Sequence, residues 1–352
     1  MKLMTEKKKS FSLQLDVSAF LPADREERQS LVVMRKSVSF WRDGLKRFKK
    51  NKIAMASLAV IILVMIFAFV MPGIYPYSYE QQIRGSENLA PMQYSEQELA
   101  LKAQGEKVFP HILGTDSLGR DTMIRLMMGS RVSLLVGIVA SVLVLLIGSL
   151  YGSIAGYFGG KTDMIMMRLV DIIYTVPDIL IIILLMVTLK YPLQSVADTV
   201  PGFGWINTIG VGLICIFIVF ALLYWVGMAR IVRSQILMLK EQEFVTAAKA
   251  LGASHGRIIR KHLLTNCMGT LIVTTTLQIP ASIFTESFLS FIGIGVAAPM
   301  PSLGSMASQA IGGIASYPYR LLAPAIMISL IILSFNLIGD GLRDAFDPKL
   351  KN

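Results

Sequence analysis

EFVTAAKALGASHGRIIRKHLLTN, residues 243–266, lies between two long apolar runs, one ending near Gly227 and the other beginning near Cys267. It is too charged to sit in hydrocarbon, so it is a water-exposed connection between membrane helices. Ala247, Ala248, Ala250, Leu251 and Ala253 are small or strong helix formers, and Gly252 and Gly256 permit a turn. Ile258, Ile259, Leu263 and Leu264 then resume an apolar helical stripe. The pattern predicts helix, turn, helix: a compact knob of small residues flanked by Lys249, Arg257, Arg260 and Lys261. Small side chains let the walls of a partner's groove come close. The other reading these residues allow is a solvated loop.

Around this island the chain is apolar. Of 352 residues 54% are hydrophobic and 16% charged, and the mean hydropathy of +0.60 lies well above that of a soluble domain. The net charge of +11 would suit nucleic acid, but it is not evenly spread. Residues 1–52 hold 14 Lys and Arg against 6 Asp and Glu, and much of the remainder lies in the island, so the charge reports membrane topology and no nucleic-acid partner is expected. Cys215 and Cys267 have neither metal-ligand spacing nor a disulfide pattern, and His111, His255 and His262 are scattered, so no metal is expected.

The expected fold is an all-α integral membrane protein with six transmembrane helices. Residues 1–51 form an N-terminal segment without a cleaved signal, loosely structured to about residue 36. Val38, Trp41, Leu45 and Phe48 then recur at helical spacing opposite a basic face, which predicts an amphipathic helix for the anionic inner leaflet, with membrane lipid as its partner. The first span covers 52–71 and is ended by Pro72; a charge-balanced outer loop covers 72–128. The core, 129–340, holds spans expected at 132–158, 169–189 (bent at Pro177), 206–229, 267–294 and 321–339, with the island loop at 239–266. Gly148, Gly152 and Gly156 clear one face of the second span for a neighbouring helix. Pro192 and Pro201 fall in an outer loop, and 341–352 is a tail. The basic flanks put both termini and the island in the cytoplasm.

Candidate chemistry is sparse. AGYFGGKT, residues 155–162, meets a relaxed phosphate-loop pattern but follows a membrane helix instead of a β-strand, so nucleotide binding is not expected. Glu286 must face protein or water, either in a solute path or as a structural hydrogen-bonding group. Thr275 and Gln278, with Thr274 and Thr276, line a hydrated passage or bond back to their own helix. Asp171 and Asp178 pose the same choice, with Arg168 a local partner for Asp171. No nucleophile and base, and no metal triad, lies within the spans, which argues against a membrane enzyme.

The island's T-A-A-x-x-x-G spacing and its L-L-T-N end resemble the EAA loop of permease subunits in ATP-binding-cassette (ABC) importers, with Thr246 where that family has Glu and Thr265 where it has Pro. HILGTDSLGRDTMIRLMMGSRVSLLVG (111–137), GYFGGKTDMIMMRLVD (156–171), ESFLSFIGIG (286–295) and FNLIGDGLRDAFDP (335–348) resemble the dipeptide and oligopeptide branch, its C-type subunit above all. The resemblance implies a type I ABC importer transmembrane domain in a bacterial cell membrane, non-catalytic itself. It pairs with a homologous permease subunit, two ATPase subunits that use ATP and Mg, and an extracytoplasmic peptide-binding protein. Thr246, Ala247, Ala248, Ala250, Leu251, Gly252 and Ala253 would couple to the ATPase; Thr275, Gln278 and Glu286 would line the path. Residues 73–128 and 299–318 are the expected docking surfaces for the binding protein. A permease for nickel or another small solute remains the alternative within the family. A secondary transporter remains one outside it, although no inverted repeat is visible.

Overall fold

The computed structural model describes residues 39–346; the expectations for 1–36 and for Val38, Lys349 and Lys351 lie outside them. The chain divides between Asp43 and Gly44 into two units. The described part of the first opens helix Phe40–Lys50, where the Phe40 and Trp41 rings meet edge to face at 5.9 Å. The second unit, from Gly44 onward, holds six helices long and apolar enough to cross a membrane: Lys52–Gly73, Thr122–Phe158, Asp178–Thr199, Val211–Leu239, Met268–Phe291 and Tyr319–Phe346. Among the described residues the only β-pairing is one isolated bridge, Thr115 with Asp121.

Several boundaries differ from the expected ones. The second span begins at Thr122, because the Asp121 carboxylate accepts from the Ile124 N–H at 2.9 Å and caps the helix; the loop expected to reach 128 therefore ends at 121. The third span is displaced. Pro177 supplies no N–H and forces Val176 into an extended conformation, so the expected bend is a full break between helices Gly160–Thr175 and Asp178–Thr199. Pro192 lies inside the latter helix and not in a loop. The fourth span runs to Leu239 after a separate short helix, Trp205–Ile209, and the sixth continues to Phe346, into the expected tail.

Six crossings put residues 159–177, the island and the end of the sixth span on one side of the bundle, and residues 74–121, 200–210 and 292–318 on the other. The tightest joint is between the second and fourth spans. A Cβ added to Gly148 would lie 2.6 Å from Met228 Cβ, one on Gly152 2.3 Å from the Ala229 carbonyl oxygen, and one on Gly156 2.9 Å from the Arg233 carbonyl oxygen. The three glycines at i, i+4 and i+8 thus let backbone rest on backbone, and dispersion over that seam replaces the hydrophobic drive that lipid does not supply.

The other spans close around this pair. Phe48, Ala54, Ile61 and Val64 pack with Leu134, Ile283, Ile331 and Phe335, joining first, second, fifth and sixth spans. Arg131 of the second span donates from Nε to the Ala68 carbonyl at 2.9 Å and from Nη2 to that of Phe69 at 3.4 Å, satisfying carbonyls at the end of the first. Gly152→Ala should cost about 1–3 kcal/mol through overpacking, whereas Gly227→Ala, in the fourth span where no atom lies within 4 Å of the added Cβ and the backbone is helical, should cost little. Thermal unfolding of the detergent-solubilised variants checks this; equal losses at the two sites would deny the seam its special role.

Candidate functional site

The island folds as a two-helix knob. Helix Glu243–Ala250 ends in a turn at Leu251–Ser254, and the chain returns through His255–Arg257, a π-helical turn Ile258–Leu263 and Leu264–Asn266. Gly256 belongs to the returning helix; only Gly252 makes the turn. Its φ of +76° is a conformation that suits glycine. The Gly252 N–H reaches the Lys249 carbonyl at 2.9 Å and the Ala253 N–H that of Ala248 at 3.0 Å, the paired bonds of a Schellman cap.

One face of the knob is anchored and the other is bare. Val245, Ala248, Ile258, Ile259 and Leu263 are buried with Tyr157 of the second span and Ile236 of the fourth, and Ala253 packs against them. The Tyr157 hydroxyl bonds His255 Nδ1 at 2.8 Å, and Lys249 Nζ lies 5.7 Å from the Tyr157 ring centre. Thr246, Ala247 and Ala250 face outward, and Leu251 at the tip is 89% exposed, the largest value among the exposed large hydrophobic residues described. The tip thus presents an apolar side chain to water from an anchored mount.

The mount is braced electrostatically. Arg233, near the end of the fourth span, grips Asp163 with two N–H donors at 2.5 Å each, and Arg230 reaches Asp171 at 2.9 Å. Asp171 therefore pairs across to another helix and not with Arg168, because the close seam brings the fourth span alongside Gly160–Thr175. The Arg233 hydrogen bonds, with its charge, hold the Asp163 carboxyl below the usual carboxylate range. AGYFGGKT spans the joint between the second span and this helix; Gly159 and Gly160 take positive φ there, and no strand precedes it.

The three path candidates occupy one helix in different surroundings. Glu286 is fully buried, its carboxylate accepting from the hydroxyls of Ser133 at 2.8 Å, Ser290 at 2.9 Å and Ser287 at 3.3 Å. Gln278 donates to Ser282 Oγ at 3.4 Å along its own helix, and the Thr275 hydroxyl is enclosed without a partner. Thr276 bonds back to the Ile272 carbonyl, and Thr274 lines a cavity of about 320 Å³ with Ile231, Gly269, Thr270, Val273 and Arg343. The structure does not bring the three together. Ser133 and Ser290, which hold Glu286, escaped the sequence reading; a serine inside an apolar run was their only signal.

On the opposite side, a clamp that the sequence did not disclose fastens the loop before the second span. His111 is buried between Asp121, 2.7 Å from Nδ1, and Glu98, 3.0 Å from Nε2. Both carboxylates also cap helices: Asp121 starts the second span, and Glu98 closes a capping box with Ser95 on helix Glu96–Ala103. Tyr75 donates to Asp121 at 3.3 Å and Tyr77 to Glu98 at 3.4 Å, with the Tyr77 ring stacked on His111 at 4.5 Å. Burial alone would push the His111 pKa down; the hydrogen bonds and charges of Asp121 and Glu98 outweigh it and the net shift is upward. Of the other expected docking surface, Ser302, Leu303, Gly304, Met306 and Ala307 are buried, while Ile311 and Ile314 remain exposed.

A six-span helical frame that carries a helical knob between its fourth and fifth spans, anchored on one face and bare on the other, defines a multi-pass membrane protein. This chain belongs to the family of binding-protein-dependent transport system inner membrane components, whose family model matches residues 148–352. Residues 39–91 match the N-terminal transmembrane domain of oligopeptide transport permease C. The chain is 42% identical over 332 residues to the oligopeptide transport system permease protein OppC of Bacillus subtilis, covering 94% of this chain and 97% of that one. It is 41% identical to the dipeptide transport system permease protein DppC of the same organism, with 94% and 93% covered, and 39% identical to OppC of Haemophilus influenzae, with 93% of each.

The histidine clamp sets a pH dependence. A raised folded-state pKa means that the charged imidazole stabilises fully below about pH 6.5 and loses that contribution as pH rises through the folded value. His111→Gln should lower stability by about 2–3 kcal/mol in acid, and the deficit should shrink toward alkaline pH. Thermal unfolding of both proteins across the pH range tests it; a deficit that does not change with pH would mean the imidazole acts only as a neutral spacer.

Proposed function

We propose that this chain is the C-type permease subunit of an ATP-driven importer of oligopeptides or dipeptides, and that its knob seats in a cleft of an ATPase subunit. The observation that carries the reading is Leu251, an apolar tip almost wholly in water on a knob whose other face is locked to the second and fourth spans. Thr246, Ala247, Ala250 and Gly252 form the close-fitting shoulders of the contact, with Ala248 and Ala253 holding them to the mount. The relatives' names, which specify oligopeptide and dipeptide transport, support peptide as the solute.

In this reading a homologous second permease supplies the other half of the path. Two ATPase subunits bind and hydrolyse ATP with Mg, this chain being non-catalytic, and an extracytoplasmic binding protein delivers the peptide. The island's Lys249, Arg257, Arg260 and Lys261 and the basic helix Phe40–Lys50 lie on the cytoplasmic side of a bacterial cell membrane by the positive-inside bias, with both termini there too. Leu45 and Trp41, about half exposed, suit that helix to the lipid surface. ATP-driven closure moves the knob as a rigid lever, and the seam at Gly148, Gly152 and Gly156 passes the displacement to the second span without slack. Glu286, enclosed among serines, holds the fifth span against the second, while Thr274 beside the cavity is better placed to meet solute.

Burying Leu251 in a cleft is worth about 1.5–3 kcal/mol, so Leu251→Asp should weaken ATPase retention by roughly tenfold or more. Co-purification through a tag on this chain, with its neighbouring operon products present, measures that loss beside peptide uptake. Gly252→Arg, strained at positive φ, should likewise uncouple transport while leaving membrane insertion intact. Normal uptake and ATPase recovery in both variants would reduce the knob to a solvated connector.

A further inference from the structure

We propose that the pocket where the second span begins, bordered by helix Leu303–Ile311 and the start of the sixth span, binds a single halide ion, chloride under native conditions. Three guanidinium groups converge there. Arg120, Arg125 and Arg320 are all buried. Among the described residues only Asp116 lies within ion-pair distance of any of them, 2.8 Å from Arg120 Nε and 3.5 Å from Arg125 Nε. Their remaining contacts are neutral: Gln309 Oε1 accepts from Arg120 Nη2 at 3.2 Å and from Arg125 Nη2 at 3.1 Å. Arg320 donates to Asn88 Oδ1 at 2.6 Å and lies 5.6 Å from the centre of the Tyr317 ring. Arg120 and Arg125 thus share the one carboxylate of Asp116, and Arg320 brings a third charge to the same cavity, so the buried cluster carries an excess of positive charge that a further counter-ion would offset.

Two donors are left over beside this excess. Arg125 Nη1 and the Thr122 hydroxyl are enclosed and have no partner, on residues that are 2% and 4% exposed. Arg125, Thr122, Asp116, Gln309 and Arg320 line one cavity of about 20 Å³. That volume admits about one water or one monatomic ion. Water would occupy the two donors but leave the charge unbalanced. A halide accepts from both and offsets part of the excess, so charge and size together select it. The occupant would fix the arginines that fasten Asn88, Gln309 and the loop before the second span to one another.

The full-length protein is purified in sodium gluconate free of halide, and its thermal midpoint is followed as chloride or bromide replaces gluconate at constant ionic strength. A saturable rise is expected. Arg125→Gln should abolish the rise. Gln309→Glu, which places a carboxylate within reach of Arg120 and Arg125, should stabilise the protein in gluconate and make it indifferent to chloride. Should either variant fail to fold, bromide anomalous diffraction from the wild-type protein decides: a peak beside Arg125 and Thr122 supports the site. Equal midpoints in chloride and gluconate, or no bromide peak in the pocket, would overturn it and leave a water there.

Discussion

Backbone resting on backbone along the second and fourth spans is the constraint on which the rest of the structure depends. Between lipid-bathed helices burial from water contributes little, so stability comes from close contact and from leaving no polar group unmet. Gly148, Gly152 and Gly156 provide the contact, and everything attached to the fourth span inherits its position. The Arg233–Asp163 and Arg230–Asp171 pairs form because the seam sets those helices side by side. The knob stands firm because its buried face is built on Tyr157 and Ile236, one from each partner in the seam.

The polar groups follow the same rule. Glu286 is surrounded by hydroxyls, and Arg131 spends its donors on the carbonyls ending the first span. Asp121 both caps the second span and holds His111, so helix start and loop closure share one carboxylate. Single hydroxyls are left unmet at Ser86 and Thr275, but at Arg125 and Thr122 two unmet donors share one small cavity beside an excess of positive charge, which is why that place points to an occupant.

Much of this was legible in the sequence, for physical reasons. Six spans follow from apolar length, and the knob from alanines, a glycine and a resumed stripe, because these signals are local. The glycine repeat announced a close contact without naming its partner, which is a tertiary fact. The third span was misplaced because residues 169–189 are apolar on both sides of Pro177, and hydropathy cannot see a missing N–H. Asp171 was matched to Arg168 by spacing, yet Arg230 wins because it arrives from another helix. The histidine clamp joins residues 98, 111 and 121, and the arginine cluster reaches from 116 to 320, separations at which no periodicity speaks. Glu286 drew notice as a charge in an apolar run, but its serine enclosure is assembled partly from the second span.

The π-helical turn at Ile258–Leu263 holds one residue more than an α-helical path between knob and fifth span would need. There the Leu264 N–H reaches back to the Ile259 carbonyl, one residue further than an α-helix would. In an unbroken α-helix one added residue would turn everything after it by about 100° around the helix axis, and the wider turn takes it up without that rotation. Side chains in the turn can be exchanged for others of similar character. Losing the surplus residue would restore α-helical spacing and leave the fifth span facing as it does, with Glu286 still toward Ser133, whereas losing a residue elsewhere in the segment would turn the span on its axis. The turn is thus a store for a surplus residue, the one point in the segment where the chain can shorten without re-aiming the helix that follows.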